Sequence, residues 1–238
     1  MDGAQVRNAN LALERNAQAA FDGTSKPVYP PGQTDPVGTW TLDEGAGAVA
    51  HDTADGHAAT LFNGPSWVPG KSGTGLLFNG TSQYGETAGP VLDTEGNFTA
   101  AAWVRLDSTG HFATAVSQDG TNASAFFLQY SAADNRFAFS TVGGRALSDA
   151  APVTGQWYHL VGVHDANKGT YTLYVNGQPQ QRVLEQCLGD PSSGRLAIGR
   201  GFFNRQRTDF WPGIVDQVHV WNRALPAADV AQLYQSGA

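Results

Sequence analysis

Acidic side chains in the first third of the chain have the chemistry of ligands for a hard cation. Asp43 and Glu44 follow an apolar segment, and Asp52 lies in the glycine-punctuated segment HDTADGH. Carboxylate and free carbonyl oxygens are the ligands that Ca²⁺ prefers, whereas zinc would require a cluster of Cys or His. The chain has one Cys and six scattered His residues, so calcium is the cation that this inventory favours.

Asp216 is a candidate ligand from the other end of the chain. Side chains alternate between the two faces of a strand, so we expect Asp216 in the segment GIVDQVHVWN to share a face with Val218 and Val220. A carboxylate against apolar surface needs a cation or several hydrogen-bond donors. Calcium is one solution. The other is that Asp216 caps a turn or pairs with Arg223 or Arg200.

The aromatic and basic segment GRGFFNRQRTDFWPG, residues 199–213, is the best candidate for ligand binding and is predicted to be a loop. Sugar sites combine aromatic faces with a few planar polar groups. Aromatic residues in a polar loop either anchor the loop on the core or face a ligand. We expect Phe210 to pack inward, and the loop 118–124 is a secondary candidate. The candidate ligand-binding residues are Phe202, Phe203, Arg205, Arg207, Trp211 and, outside the segment, Tyr84.

No arrangement of residues in the sequence indicates catalysis. A glycosidase needs two carboxylates facing one cleft, and the sequence has no run of acidic residues at alternate strand positions. There is no Gly-x-Ser-x-Gly segment for a serine nucleophile. His159 and His219 are interpreted as hydrogen-bonded histidines of a sheet, and Cys187 as a partly buried structural thiol. We therefore predict that the protein is not an enzyme.

Composition excludes several classes of protein. The formal net charge is −7, and only 15% of the residues are charged. A nucleic acid or an anionic membrane surface would require a basic surface. No apolar run approaches the roughly 20 residues of a membrane span, and the sequence does not begin with a leader pattern. The 29 Gly residues and the many aromatics favour strands joined by tight turns.

Short apolar segments with alternating or continuous apolar residues predict a two-sheet antiparallel β-sandwich. Asn-Gly pairs, such as Asn176-Gly177 after YTLYV, mark tight turns between them. The predicted strands are 37–43, 75–79, 98–106, 112–117, 125–130, 135–140, 157–164, 170–175, 195–199 and 214–221.

The two ends of the chain differ from this pattern. Residues 1–36 are predicted to form a short helix and a Pro-rich linker, which could contact a neighbouring module or be a free tail. The segment from Leu225 to Tyr234 has helical spacing, with Pro226 in the first turn and Gly237 as a stop. The β-sandwich domain is predicted over residues 37–238.

Seven segments in this order resemble the LamG-like jellyroll family of the concanavalin A-like lectin/glucanase superfamily. The resemblance extends over residues 37–238. The segments are WTLDEGAGAVAHDTADG, ATLFNGPSWVPGKSGTGLLFNGTSQY, FTAAAWVRL, GQWYHLVGVHD, GTYTLYVNGQ, GRLAIGR and GIVDQVHVWNRALPAADVAQLY.

The resemblance implies an all-β jellyroll and a structural calcium ion. It assigns the metal first to Asp52 and Asp216, with Glu44 and Asp43 as weaker ligands. One sandwich of this kind supports many functions, including lectins, glycosidases and adhesion modules. The sequence therefore predicts a non-catalytic, calcium-stabilised, extracellular or cell-surface module that binds a glycan. The alternative is a protein–protein adhesion or assembly module of a larger secreted or surface protein.

Overall fold

The structure is a computed structural model of the 238-residue chain, and it describes residues 35–185 and 191–237. The predicted N-terminal helix, nearly all of the Pro-rich linker and Cys187 lie outside the described residues. The boundary predicted at residue 36 stays a prediction.

The described residues form nineteen strands and one helix. In chain order these are β1 (Gly38–Trp40), β2 (Val49–Ala50), β3 (Ala59–Phe62), β4 (Ser66–Pro69), β5 (Thr74–Asn79), β6 (Tyr84–Thr87), β7 (Phe98–Leu106), β8 (Ala113–Asp119), β9 (Ser124–Ser131), β10 (Arg136–Thr141), β11 (Gly144–Leu147), β12 (Trp157–Asp165), β13 (Thr170–Val175), β14 (Gln178–Pro179), β15 (Leu184–Glu185), β16 (Leu196–Ile198), β17 (Gly201–Phe203), β18 (Gln206–Thr208), β19 (Pro212–Trp221) and α1 (Ala227–Ser236).

Two large antiparallel sheets form the predicted sandwich. Sheet A has the order β14-β13-β12-β7-β19-β5-β4, with β1 also paired to β19 and β15 to β13. Sheet B has the order β11-β10-β9-β8-β16-β6-β3-β2. Strands β17 and β18 form a separate two-stranded ribbon. The fold is therefore nearly all-β, as the sequence predicts.

Aromatic rings from the two sheets meet in the core. Phe98 of sheet A lies 5.0 Å, between ring centroids, from Phe126 of sheet B. Tyr171 of sheet A lies 5.1 Å from Phe139 of sheet B. Gly162 faces Phe139 so closely that a Cβ atom at position 162 would overlap the ring. Burial of these large apolar surfaces holds the two sheets together.

The ten predicted strands are all present, with ends that differ by a few residues. Helix α1 is also confirmed, and its Val230 and Leu233 are buried. Gly237 ends the helix in the left-handed conformation, with φ 79°, as C-terminal glycines commonly do. Within the described residues, no helix has the length and apolar character needed to cross a membrane.

Strand β19 contains a β-bulge that changes which residues face the core. Its register against β7 shifts between Asp216 and His219, and Gln217 has φ 47°. Because the bulge adds one residue, alternation is interrupted, and Val215 as well as Val218 belongs to the core. The expectation that Asp216 shares the apolar face is therefore wrong. Asp216 lies opposite Trp103 of β7, away from that face.

Candidate functional site

The segment predicted as a loop is mostly a β-hairpin. Phe202 pairs with Arg207 and Phe203 with Gln206, and Asn204 and Arg205 form the turn with φ of 49° and 62°. Positive φ at both turn residues matches the twist of paired strands, so it closes the hairpin tightly. Asn adopts this conformation readily, whereas Arg does so less often.

The hairpin is fixed to sheet B. The backbone N–H of Phe202 donates to Ser124 Oγ at 3.0 Å. The backbone N–H of Arg205 donates to the carbonyl of Asn122 at 3.0 Å. Gly201 lies so close to Thr114 that a Cβ atom there would be 3.0 Å from its hydroxyl. The hairpin and the predicted secondary candidate, the loop 118–124, are therefore in contact.

The hairpin presents different side chains on its two faces. Directly paired residues point to the same side, so Phe202 and Arg207 share one face, and Phe203 and Gln206 share the other. Arg207 reaches Glu86 of sheet B, so its face is turned towards the sheet. Phe203 is on the solvent side and is 45% exposed.

Three arginines converge on Glu86, which is only 3% exposed. Arg195 Nη1 donates to Glu86 Oε1 at 2.5 Å, and Arg200 Nη2 donates to Oε2 at 2.9 Å. Arg207 Nη2 lies 3.2 Å from Oε1 and 3.3 Å from Oε2. Burial alone would raise the pKa of Glu86, but the hydrogen bond and charge of Arg200, with the charges of Arg207 and Arg195, hold it below its usual range.

Arg200 is the buried centre of this network. Its side chain is fully buried, and it donates to both carboxylate oxygens of Asp119 at 2.7 and 2.8 Å. Such bidentate pairing fixes both partners in one geometry. Burial disfavours the charged guanidinium, but Asp119 and Glu86 outweigh that and raise the pKa of Arg200.

Tyr84 lies beneath this network and does not face solvent. Its ring stacks on Phe62 with centroids 5.0 Å apart. The guanidinium carbons of Arg200 and Arg207 lie 5.3 and 5.2 Å from its centroid. Because Tyr84 is buried by these neighbours, its face is not available to stack on a ligand. It supports Arg207 instead.

Trp211 is a correction to the predicted set. It is fully buried in the core, and its indole N–H donates to the carbonyl of Arg105 at 3.3 Å. A ring that lies inside the sandwich cannot contact a ligand in solvent. Phe210, expected to pack inward, is half-buried instead, 6.1 Å from Tyr84.

The residues left at the surface form what we call the arginine–aromatic patch: Phe202, Phe203, Arg195, Arg205 and Arg207. Sequence reasoning found four of these five residues and named the loop 118–124, which contains Asp119. It missed Arg195 at the surface and Glu86 and Arg200 beneath it. A usable signal was present for Glu86, because it is two residues from Tyr84 on one strand and must share its face.

The predicted metal ligand Asp52 is surrounded by N–H donors. Its Oδ1 accepts from the backbone N–H groups of Thr39 at 2.7 Å and Ala54 at 2.8 Å. Its Oδ2 accepts from the backbone N–H groups of His57 at 2.9 Å and Asp55 at 3.3 Å. Burial acts to raise the pKa of Asp52, but these backbone hydrogen bonds outweigh it and lower the pKa.

Asp216 caps the turn between β4 and β5. Its Oδ2 accepts from the backbone N–H groups of Lys71 at 2.7 Å and Ser72 at 3.0 Å, and its Oδ1 from Gln217 at 2.8 Å. The turn-capping alternative is thus the one observed. Burial raises the pKa of Asp216 to about 7, against these hydrogen bonds, and nearby Asp43 adds to the rise.

The four predicted ligands do not fit a calcium ion as a set. Asp43 accepts from the backbone N–H of Thr74 at 2.9 Å, and Glu44 from that of His51 at 2.6 Å. Asp43 and Asp216 therefore both serve the β4–β5 turn, whereas Glu44 and Asp52 serve other stretches of backbone. In the part of the chain that the structure describes, no three His, Cys, Asp or Glu side chains gather as a metal site.

His159 differs from its interpretation as a hydrogen-bonded histidine. It is fully buried between Trp103, with ring centroids 5.1 Å apart, and Tyr234 of α1, 6.1 Å away. Neither of its ring nitrogens has a hydrogen-bond partner among residues 35–185 and 191–237. Burial, with a smaller contribution from His219, lowers the pKa of His159 to about 3. His219 does fit the interpretation, because its Nδ1 lies 3.3 Å from the hydroxyl of Thr39.

Comparison with known families gives a match over most of the sandwich. The model of a family described as the concanavalin A-like lectin/glucanases superfamily matches residues 79–231. The matched range includes Glu86, Arg200 and the hairpin.

The curated relatives include the pentraxin-related protein PTX3 of Homo sapiens. It is 28% identical to this chain over 155 residues, which are 62% of this chain and 40% of the relative. The chain therefore spans well under half the length of this relative.

Solved structures with the same fold include carbohydrate-active proteins. Domain 4 of AbnA, an extracellular arabinanase of Geobacillus stearothermophilus solved with arabinotriose, has a TM-score of 0.66 and 17% identity. The match covers 84% of this chain and 98% of that domain. A Trypanosoma rangeli sialidase solved with sialic acid has a TM-score of 0.65 and 16% identity, over 98% of this chain and 39% of the sialidase. At this identity the likeness shows the fold alone.

Proposed function

The chain belongs to the concanavalin A-like lectin/glucanases superfamily, and on that premise we propose that it is a carbohydrate-binding, non-catalytic module of an extracellular protein. The saccharide binds at the arginine–aromatic patch on the outer face of sheet B. The observation that carries the proposal is the hairpin that presents an exposed aromatic ring, Phe203, on its solvent face, with Arg205 two residues later in its turn.

The chemistry of the patch supports saccharide binding. The C–H face of a sugar ring packs against an aromatic ring, and the hydroxyl groups of the sugar accept hydrogen bonds from planar donors. Phe203 supplies such a ring, and Arg205 lies at the turn directly after Asn204. Because the hairpin is anchored to sheet B at Ser124 and Asn122, both side chains start from a rigid backbone, which reduces the entropy lost on binding.

Acid–base chemistry at this patch is not supported by its carboxylates. A glycosidase needs one carboxylic acid that is protonated at working pH and one free carboxylate. Glu86 is paired with three arginines, which lower its pKa, and Asp119 is bidentate to Arg200. Among the described carboxyls, burial raises the pKa of Asp216 and of Asp209. Asp216 is bound to backbone N–H groups of the β4–β5 turn, and Asp209, which follows the hairpin, is half-buried and accepts from the hydroxyl of Thr208. These contacts favour binding without cleavage.

The proposed extracellular location is supported by the solved neighbour that is part of an extracellular arabinanase. Calcium stays a prediction of the sequence. A chelator that lowers the melting temperature at neutral pH would support it, and an unchanged melting temperature in chelator and in added calcium would refute it.

The proposal is tested with a glycan array followed by calorimetry on the best saccharide. We expect Phe203→Ala to weaken binding at least about tenfold, because the stacking surface is lost. Val142→Ala removes a similarly exposed apolar side chain at the β10–β11 turn and is the matched control, which should leave affinity unchanged. Equal affinity of the Phe203→Ala variant and the parent protein would refute the assignment of the patch.

The alternative, protein–protein assembly, predicts a different result. In that case the array shows no binding, and a solution mass measurement on residues 1–238 exceeds that of a monomer. A monomer that binds saccharide supports the first function.

A further inference from the structure

We propose that the saccharide bound at the arginine–aromatic patch is anionic and presents a carboxylate or a sulfate group to Arg195 and Arg205. This inference rests on the proposed function and specifies the class of its ligand.

The patch is a basic surface on an acidic protein. The chain has a formal net charge of −7 and only 14 Lys and Arg residues. Three of these, Arg195, Arg205 and Arg207, belong to the patch, and a fourth, Arg200, is buried beneath it. The carboxylates that face them are Glu86 and Asp119, and half-buried Asp209 follows the hairpin. Four positive groups against three negative groups leave an excess of positive charge.

Burial increases this asymmetry at the surface. Arg195 and Arg207 are 49% and 45% exposed, whereas Glu86 is 3% exposed. The carboxylates thus lie beneath, and the guanidinium groups lie above them in solvent. An approaching ligand meets positive groups first, which favours a ligand of opposite charge.

The exposed guanidinium groups keep donors for a ligand. A guanidinium has five N–H donors. Arg195 uses Nη1 for Glu86, and Arg207 uses Nη2 for the same carboxylate. Arg205 forms no ion pair with any carboxylate among residues 35–185 and 191–237. Carboxylate and sulfate groups match the planar fork of a guanidinium, whereas the hydroxyls of a neutral sugar do not need it.

The buried part of the network positions the exposed part. Arg200 is fully buried and joins Glu86 to Asp119, so the Glu86 carboxylate has one orientation. That carboxylate holds Arg195, and the hairpin turn that carries Arg205 is hydrogen-bonded to Asn122. An anionic saccharide that contacts Arg195 and Arg205 through its acidic groups would therefore bind without first ordering the backbone that carries them.

The experiment compares matched charged and neutral saccharides by isothermal titration calorimetry. The first pair is a hyaluronan hexasaccharide and its carboxyl-reduced form. The second pair is a heparin hexasaccharide and its desulfated, carboxyl-reduced form. We expect at least one charged member to bind about tenfold or more tightly than its neutral partner, with an affinity that falls between 20 and 200 mM salt. The pair that responds identifies carboxylate or sulfate.

Variants then place the anion on the patch. Arg205→Gln and Arg195→Gln should each lower the affinity for the charged saccharide about threefold or more while leaving the melting temperature nearly unchanged. Arg182→Gln is the matched control, because Arg182 is an exposed arginine next to β11, which is an edge strand of sheet B, and it makes no contact with Glu86 among the described residues. It should leave the affinity unchanged.

The failures of the two proposals are distinguishable. If neutral and charged members bind equally, or if Arg182→Gln weakens binding as much as Arg205→Gln, the anionic ligand is refuted and saccharide binding stands. If no charged or neutral saccharide binds here or on the array, both proposals are refuted.

Discussion

Arg200 and Arg195 bind the same carboxylate but differ in burial, which allows the energetic role of burial to be measured within one network. Arg200 is fully buried, and Arg195 is 49% exposed. In the variant Arg200→Met, Glu86 loses its buried partner and Asp119 loses its bidentate partner. Leaving a buried charge unpaired costs about 3–5 kcal/mol. In Arg195→Met, only the half-exposed arginine is lost and Glu86 keeps Arg200 and Arg207, so we expect a cost of at most about 1 kcal/mol, as for surface pairs.

The assay is urea unfolding followed by tryptophan fluorescence, with thermal unfolding as a second measurement. For a domain of this size, 1 kcal/mol corresponds to roughly 2–4 °C in melting temperature. We therefore expect Arg200→Met to lower the melting temperature by about 6–20 °C and Arg195→Met by no more than about 4 °C. The dependence of the unfolding free energy on urea should stay unchanged, because the exposed area on unfolding is the same.

The two variants should differ in how much unfolding free energy they lose. If the losses in Arg200→Met and Arg195→Met agree to within about 1 kcal/mol, the proposed role of burial is refuted. In that case Glu86 would be solvated or would obtain compensation from the remaining arginines. A further variant, Arg200→Lys, keeps the charge but cannot form the bidentate contact, so it should fall between Arg200→Met and the parent protein.

Three further predictions concern Asp52, His159 and the N-terminal segment. Asp52→Ala should lower the free energy of unfolding by about 2–3 kcal/mol in EDTA as well as in calcium, because it leaves backbone N–H groups without an acceptor. A loss of unfolding free energy that is seen only in calcium would contradict this. The pKa of His159 is about 3 in the folded state and 6.5 in the unfolded state. Between these pH values the unfolded state binds more protons, so the free energy of unfolding should fall as the pH drops from about 6.5 towards 3. In His159→Leu, the unfolding free energy should fall less steeply between pH 6.5 and 3. If this variant and the parent protein show the same dependence of unfolding free energy on pH, the low pKa of His159 is refuted. Deletion of residues 1–36 should leave the melting temperature within about 2 °C, because the core cluster is built from residue 40 onwards; a larger fall would show that the segment packs on the domain.

The long strands could be predicted because their own residues specify them. Segments such as FTAAAWVRL and WYHLVGVHD are buried along almost their whole length, and their apolar pattern reflects that burial. Short strands such as β2 and β4 have two to four residues and gain their structure from the strands they pair with. Their own sequence does not distinguish them from loops.

The site was less predictable than the fold, and two backbone features explain the difference. The hairpin turn uses Asn204 and Arg205 with positive φ, where a glycine would have signalled the turn. The bulge at Gln217 likewise has positive φ without a glycine, so strict alternation assigned Asp216 to the wrong face. The three arginines that contact Glu86 lie 109 to 121 positions after it in sequence, and the sheet topology brings them to it.

The most direct test of saccharide binding at the arginine–aromatic patch is a crystal structure of the protein soaked with the tightest-binding saccharide from the calorimetry. The account predicts a sugar ring against Phe203 and an acidic group within hydrogen-bond distance of Arg205. A saccharide bound on sheet A, or at the strand ends away from the hairpin, would contradict it.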